Sequence, residues 1–394
     1  MLCTALLTVL TSALPVAHAQ DLIAEIGAPV ETGTNGPWAR ALATDDGWYM
    51  GVGTAGDFHV GALTRTGDGL EDWSFDSDNW VRVTDHGGLK DHAIRKCPDG
   101  SWLHVSSTNN NDPNDTAYSW RLSPDFEIIE SGVVEENYPG RAHNDMASIC
   151  SPRAQGAVFT TYGSEPKNAY FFHIDETANT SRMQELGEIQ TEGGAFLDDA
   201  VTDRIILISS NFQSQLVVNT FDGDLNRIEE KLVDIPPSSQ LAFWPQRIIR
   251  VGQFYVVAMM SMDFAEPGTY DTGDVWLHVF DEDFNLLEQH QLTTYGSSRE
   301  SAMRPWVERM DDLLIVSYDI QTTHTFVAVR MNLDGVEEVD TGFEDDSEES
   351  GADEEADEEA SKGGGCSVVV GGTAGGMWLA LGMLVATHRR RRTA

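Results

Sequence analysis

Between residues 35 and 336 the chain is written in short apolar runs separated by turns, and the runs come in pairs. "WYMGVG", "SWLHVSS", "GAVFTTYG", "RIILISSN", "FYVVAMMS" and "LLIVSYD" are rich in β-branched and aromatic residues and bounded by Gly, Asn, Asp or Ser, the pattern of a strand. A second run follows each of them: "DFHVGALT", "AYSWRLS", "NAYFFHID", "SQLVVNTF", "DVWLHVF" and "HTFVAVRM". After most of these come an acidic turn and a further strand, as in "SPDFEIIE", "FDGDLNRIEE", "FDEDFNLLEQ" and "NLDGVEEV". Before each first run stands a short segment that ends at a turn, such as "HAIRKCPDG" or "QRIIRVGQ". No stretch keeps helical spacing long enough to predict an amphipathic helix.

Four short strands recurring about every 50 residues are the arithmetic of a propeller blade. A four-stranded sheet cannot bury both faces alone, so its neighbours must stack into a ring around a channel. The reading is an all-β, six-bladed β-propeller over residues 20–336, with five or seven blades if a weak unit is miscounted. Residues 21–34, "DLIAEIGAPVETGT", are placed to close the ring by joining the last blade. Ten Trp, sixteen Phe and 41% apolar residues suit this architecture and supply its core.

The ends change the picture from fold to location. Residues 1–19 carry no charge and finish on Ala17-His18-Ala19, a secretory signal with cleavage after Ala19. Export permits disulfides, and Cys97 and Cys150 are either bridged or two buried thiols. Residues 337–365 form an acidic and Gly-rich linker; fourteen Asp or Glu fall between 337 and 359. Such a segment cannot bury a core and should extend by self-repulsion. Residues 367–387 run without a charge, long enough to cross a bilayer as a helix. Arg389–Arg392 then mark the cytoplasmic side. A formal charge of −39 argues against nucleic acid as a partner.

The order Gly363-Gly364-Gly365-Cys366-Ser367, a Gly-rich apolar span and an arginine cluster resembles the MYXO-CTERM sorting signals of myxobacteria and related deltaproteobacteria. The resemblance covers residues 366–394 and the glycines before them. It implies processing by a C-terminal sorting protease, with Cys366 as the point of lipid attachment. An ordinary single-pass anchor with an incidental cysteine is the alternative. Either way the expected location is the surface of a Gram-negative cell, held to the outer membrane.

Candidate chemistry is sparser. "TGDGLEDW" (Thr66–Trp73) resembles an Asp-box of sialidase-like propellers with its glycine displaced by one position, and the WD40 and kelch signatures are missing. "DGDLN" (Asp222–Asn226) and "DEDFN" (Asp281–Asn285) alternate acids as calcium loops do. They also fit plain Asx turns, so calcium is the one cofactor the sequence admits, and no other metal or cofactor is expected. The starts of the first strands should converge on one mouth of the channel. There the reading gathers Trp38, Arg40, Asp91, His92, His143, Asp145, Asp198, Trp244, Arg304 and Trp306. Trp could stack on a sugar, Arg could pair with a carboxylate, and Asp or His could move protons. Three readings stay open: side chains that hold the blades together, a binding or adhesion module for a glycan or a surface protein, and a glycoside hydrolase or polysaccharide lyase.

Overall fold

In the strand Arg204–Ser210, Ile205 and Leu207 bury into one neighbouring sheet while Ile206 and Ile208 bury into the other. That is why this run is apolar at every position and not alternating: both faces of the sheet are covered. The same holds along Phe254–Asp263, where Tyr255, Val257 and Met259 face one neighbour and Val256 and Ala258 the other.

The computed structural model describes residues 21–337, apart from residues 55, 90, 109–115, 137–140, 162–166, 190–193, 212–214, 237–240, 264–272, 296–301 and 321. The signal peptide, the linker beyond residue 337, Cys366, the apolar span and the arginine cluster lie outside the described residues. Among the described residues there is no helix long and apolar enough to cross a membrane.

Six antiparallel sheets follow one another along the chain. The first strands of blades 1 to 6 are Ala39–Thr44, Asp91–Lys96, Arg141–Cys150, Ala195–Asp199, Leu241–Val251 and Ala302–Met310. Each pairs with the strand after it, and in blades 2 to 5 the strand order follows the sequence outward. First strands of successive blades lie against one another from blade 2 to blade 6 and again between blades 6 and 1, and six apolar clusters fill the six interfaces between blades. The six-bladed β-propeller expected from the repeat is the fold.

Blade 6 is completed from the other end of the chain. Ile23–Ile26 pairs antiparallel with Thr323–Met331, Ile26 opposite Val329. Val30–Asn35 continues along the same strand, Val30 opposite Phe326. The closing role expected of residues 21–34 is therefore met. Over the described residues of "NLDGVEEV", 332–337, no further strand forms: Asn332–Val336 makes a turn, with Gly335 at φ +76°, and the N-terminal strand occupies the edge of blade 6. Blade 1 also departs from the pattern, because both Trp73–Phe75 and Val81–Arg82 pair with its third strand, Phe58–Arg65.

A common five-residue turn joins third to fourth strands. Asp222 accepts from the backbone of Asp224 and Asn226 at 3.0 and 2.9 Å, and Asp281 does the same for Asp283 and Asn285 at 3.0 and 2.8 Å. Asp175 repeats it with Thr177 and Asn179. The fourth residue is left-handed each time: Ala178, Leu225 and Phe284 at φ 57°, 62° and 56°. Their side chains are buried, so the turn accepts backbone strain in exchange for packing. The first carboxylate of each stretch, Asp222 in "DGDLN" and Asp281 in "DEDFN", is thus spent on an Asx turn, and Glu282 binds Arg250. Among the described residues no three His, Cys, Asp or Glu side chains gather as a metal site would require.

Cys97 and Cys150 form a disulfide with Cα atoms 4.9 Å apart, tying the first hairpins of blades 2 and 3. The closed loop spans 53 residues, for which chain entropy gives about 4 kcal/mol as an upper figure. The double variant Cys97→Ser/Cys150→Ser is expected to lose about 2–4 kcal/mol in urea denaturation. Reductant should then shift the wild-type midpoint and leave the variant's unchanged; equal midpoints for the two proteins would show that the bridge adds nothing.

Candidate functional site at the channel axis

Trp306, in the first strand of blade 6, is 1% exposed. It meets guanidinium groups from three other blades: Arg40 of blade 1 at 4.5 Å from the ring centroid, Arg95 of blade 2 at 4.1 Å and Arg247 of blade 5 at 5.3 Å. A side chain reached from blades 1, 2, 5 and 6 together lies on the axis of the ring. Trp38 extends the stack, with Arg40 at 4.8 Å and Arg304 at 4.6 Å from its ring. Such contacts contribute about 0.5–2 kcal/mol each, more when dry.

These side chains also lace the blades. Arg40 Nε donates to the His92 carbonyl at 3.0 Å in blade 2, and Nη1 donates to the Arg304 carbonyl at 3.2 Å in blade 6. Arg95 Nε donates to the Ser148 carbonyl at 2.9 Å in blade 3. Arg247 binds Glu308 of blade 6 at 2.7 Å. At the closing seam Asp319 accepts the backbone N–H groups of Trp38 and Ala39 at 2.8 and 2.9 Å, and Arg304 Nη1 at 3.4 Å. Ser317 Oγ accepts from the Ala41 N–H at 2.8 Å and donates to the Ala39 carbonyl at 3.1 Å. Trp38 and Arg304 sit on left-handed backbone, φ 74° and 55°, which bulky side chains adopt only when their surroundings hold them there.

The structure brings together four of the residues expected at the mouth: Trp38, Arg40, Arg304 and Trp306. Of the rest, Asp91 is fully buried. His92 is buried with its Nδ1 3.2 Å from His104 Nε2, and Phe58 stacks on both rings. Burial, then His104, Arg40 and His324, push the His92 pKa well below the ordinary imidazole range. Trp244 is buried against Met260 and Met303. The side chains of His143 and Asp145 lie outside the described residues.

Asp198 is a correction. It stands near the end of its strand, opposite Ile205, at the level where Ala43 faces Trp48. That is the opposite end of the first strand from Trp38 and Asp91. Blade 4 begins on Gly194 and Ala195, so the spacing that aligns Asp198 with the other starts runs some four residues too far. There Asp198 pairs with Arg153 of blade 3, and its neighbour Asp199 takes Arg250 and Tyr255 of blade 5. Both are inter-blade ties.

Sequence reasoning passed over Arg95, Arg247, Glu308 and Asp319. Their signal was a charged residue inside or ending an apolar strand, in "HAIRK", "QRIIR" and "VSYD", where a covered sheet should carry none without a partner.

Away from the axis, the irregular edge of blade 1 exposes aromatic surface. Trp80 is partly exposed and stacks at 4.4 Å on His59, with the edge of Phe75 at 6.5 Å. The Arg82–Asp57 pair, 2.6 Å, belongs to the same edge.

No protein-family profile matches the chain. No curated protein matches it either. Among solved structures, one named as a "putative glycoside hydrolase" from Bacteroides ovatus ATCC 8483 is 11% identical over 63% of this chain and 88% of its own, with a TM-score of 0.41. Another, named as "putative TolB" from Agrobacterium tumefaciens, is 15% identical over 75% and 90%, with a TM-score of 0.42. Likeness at that level carries no function across. The assignment that stands is the one the strand pairing makes, a six-bladed β-propeller closed by its own N-terminal strand.

Proposed function

We propose that this protein is an exported, surface-held propeller that binds a ligand without transforming it, the ligand being a glycan. One observation carries the non-catalytic reading. The axis, where a hydrolase or lyase would place its catalytic acids, is lined by Trp306 and arginines bonded to neighbouring blades. Two of the carboxylates there are engaged: Glu308 with Arg247, and Asp319 with two N–H groups and Arg304. Glycosidic cleavage needs two carboxyl groups facing each other across an open space, a role that these two, tied to arginines and backbone donors, do not offer. Contact with a glycan falls instead to exposed aromatic surface, for which Trp80 with the Arg82–Asp57 pair is the best-furnished edge. The location rests on the signal-like first residues and on the resemblance of the last ones to a sorting signal.

The test joins two measurements. The purified protein is applied to a glycan array, and Trp80→Ala is compared with wild type on whatever binds. Loss of a central aromatic anchor should weaken binding more than about tenfold. Turnover of any bound glycan would overturn the non-catalytic reading, and an array with no binder would overturn the ligand. In cells, Cys366→Ala should release the protein from membrane fractions or leave a heavier precursor; unchanged fractionation and mass would remove the sorting reading.

A further inference from the structure

Arg95 is 6% exposed and holds a full positive charge at the axis. Its Nε and Nη1 donate to the carbonyls of Ser148 and Ile94 at 2.9 and 3.2 Å. Its Nη2 is buried and meets no acceptor among the described residues. Arg247, beside the same indole, has a carboxylate in Glu308; Arg95 has none within ion-pair distance among the described residues. Burial and the neighbouring Arg247 and Arg40 charges all oppose the Arg95 charge, and among the described residues Glu308 favours it. A guanidinium does not shed its proton inside a protein. An unmet buried charge costs several kcal/mol, so something other than deprotonation must answer it.

We propose that the channel axis is an oxyanion site. An oxygen of a carboxylate, sulfate or phosphate group accepts from Arg95 Nη2, and the guanidiniums of Arg40 and Arg247 around Trp306 add their field. A forked donor that still has a free N–H pair matches such a group geometrically. The approach is marked as well. Arg304, with 27% of its side chain exposed, stacks on Trp38; Trp38 stacks on Arg40, and Arg40 on Trp306. Asp319 answers Arg304 and Glu308 answers Arg247, so in a protein of formal charge −39 this path of guanidinium groups leads an anion to Arg95, while the acidic outer surface repels it. The group belongs either to a free inorganic ion or to an acidic sugar. The site stands on Arg95 and its neighbours and is independent of the Trp80 edge.

The experiment measures thermal unfolding of the purified protein at fixed ionic strength against rising sulfate, phosphate and galacturonate, with chloride as the balancing salt. Arg95→Met serves as the baseline, since sulfate stabilises proteins generally by exclusion from their surface. A rise of about 5 °C in wild type at 100-fold excess over Kd, logarithmic in the anion concentration and absent from Arg95→Met, is expected. Galacturonate acting like sulfate identifies the acid group of a sugar; sulfate or phosphate alone identifies an inorganic ion. Identical salt responses in the two proteins would overturn the proposal. Should Arg95→Met fail to fold, wild-type crystals soaked in selenate decide: anomalous density within hydrogen-bond reach of Arg95 Nη2 upholds the site, and a bare axis removes it.

Discussion

Asp319→Ala is expected to be among the most damaging single substitutions in the ring, at about 4 kcal/mol. The carboxylate is fully buried and takes three donors at the seam where the last blade meets the first: the N–H groups of Trp38 and Ala39 from across it, and Arg304 from its own blade. Removing it leaves two backbone donors dry, at about 1–3 kcal/mol each, and takes the counter-charge from a guanidinium. Blade 6 and blade 1 are joined by the N-terminal strand, which pairs with Thr323–Met331 before the chain enters blade 1, by the apolar interface of Ala39, Ala41, Met50, Ile315 and Phe326, and by the hydrogen bonds that Asp319 and Ser317 make across it. Asp319→Asn keeps one acceptor of similar shape and should lose about half as much. The measurement is the urea midpoint with an unchanged slope. A loss below about 1 kcal/mol for Asp319→Ala would mean that the apolar interface alone closes the ring.

The ring was legible because its physics is local and repeated. "RIILISS" announces a sheet covered on both sides, and the recurrence of such runs announces blades that cover one another. Even the closing strand could be read, since "DLIAEIG" is a strand with no partner of its own in sequence. The axis was legible only in composition. Trp38, Arg40, Arg304 and Trp306 were gathered correctly by register, yet their role depends on Arg95 and Arg247, whose placement follows from how far each strand penetrates the channel. Register within a strand is fixed by the hairpin at its far end. The two-residue turn after Thr44 and the four-residue turn after Asp199 displace otherwise similar starts. Asp198 was misplaced for that reason. The disulfide was open in the sequence because thiol pairing is a matter of Cα separation, which spacing along the chain does not contain.

Acid is expected to unfold the ring well above the pH at which carboxylates lose their charge. His104 and His278 are fully buried. Burial, with Arg40 nearby, takes His104 down to about 3, and burial, with His290 nearby, takes His278 to about 3. An imidazole in the unfolded chain titrates near 6.5. The unfolded state therefore binds the proton first, and the stability these rings confer is complete above pH 6.5 and drains as the pH falls toward 3. At pH 4.5 the two together cost about 6 kcal/mol, against a total of about 5–15 kcal/mol for a typical domain. His92 acts in the same direction, since burial and the neighbouring His104, Arg40 and His324 oppose its charge and its contact with His104 needs one ring of the pair to accept. His278 separates this cause from all others. Neither of its ring nitrogens has a partner among the described residues, and it sits among Phe243, Trp276 and Phe280. His278→Leu removes the titration without removing a hydrogen bond. It should hold or raise the melting temperature at pH 7.5 and retain about 3 kcal/mol that wild type loses by pH 4.5. If the variant loses as much as wild type over that interval, buried imidazole is not what makes the propeller sensitive to acid, and the carboxylates at the blade seams become the source.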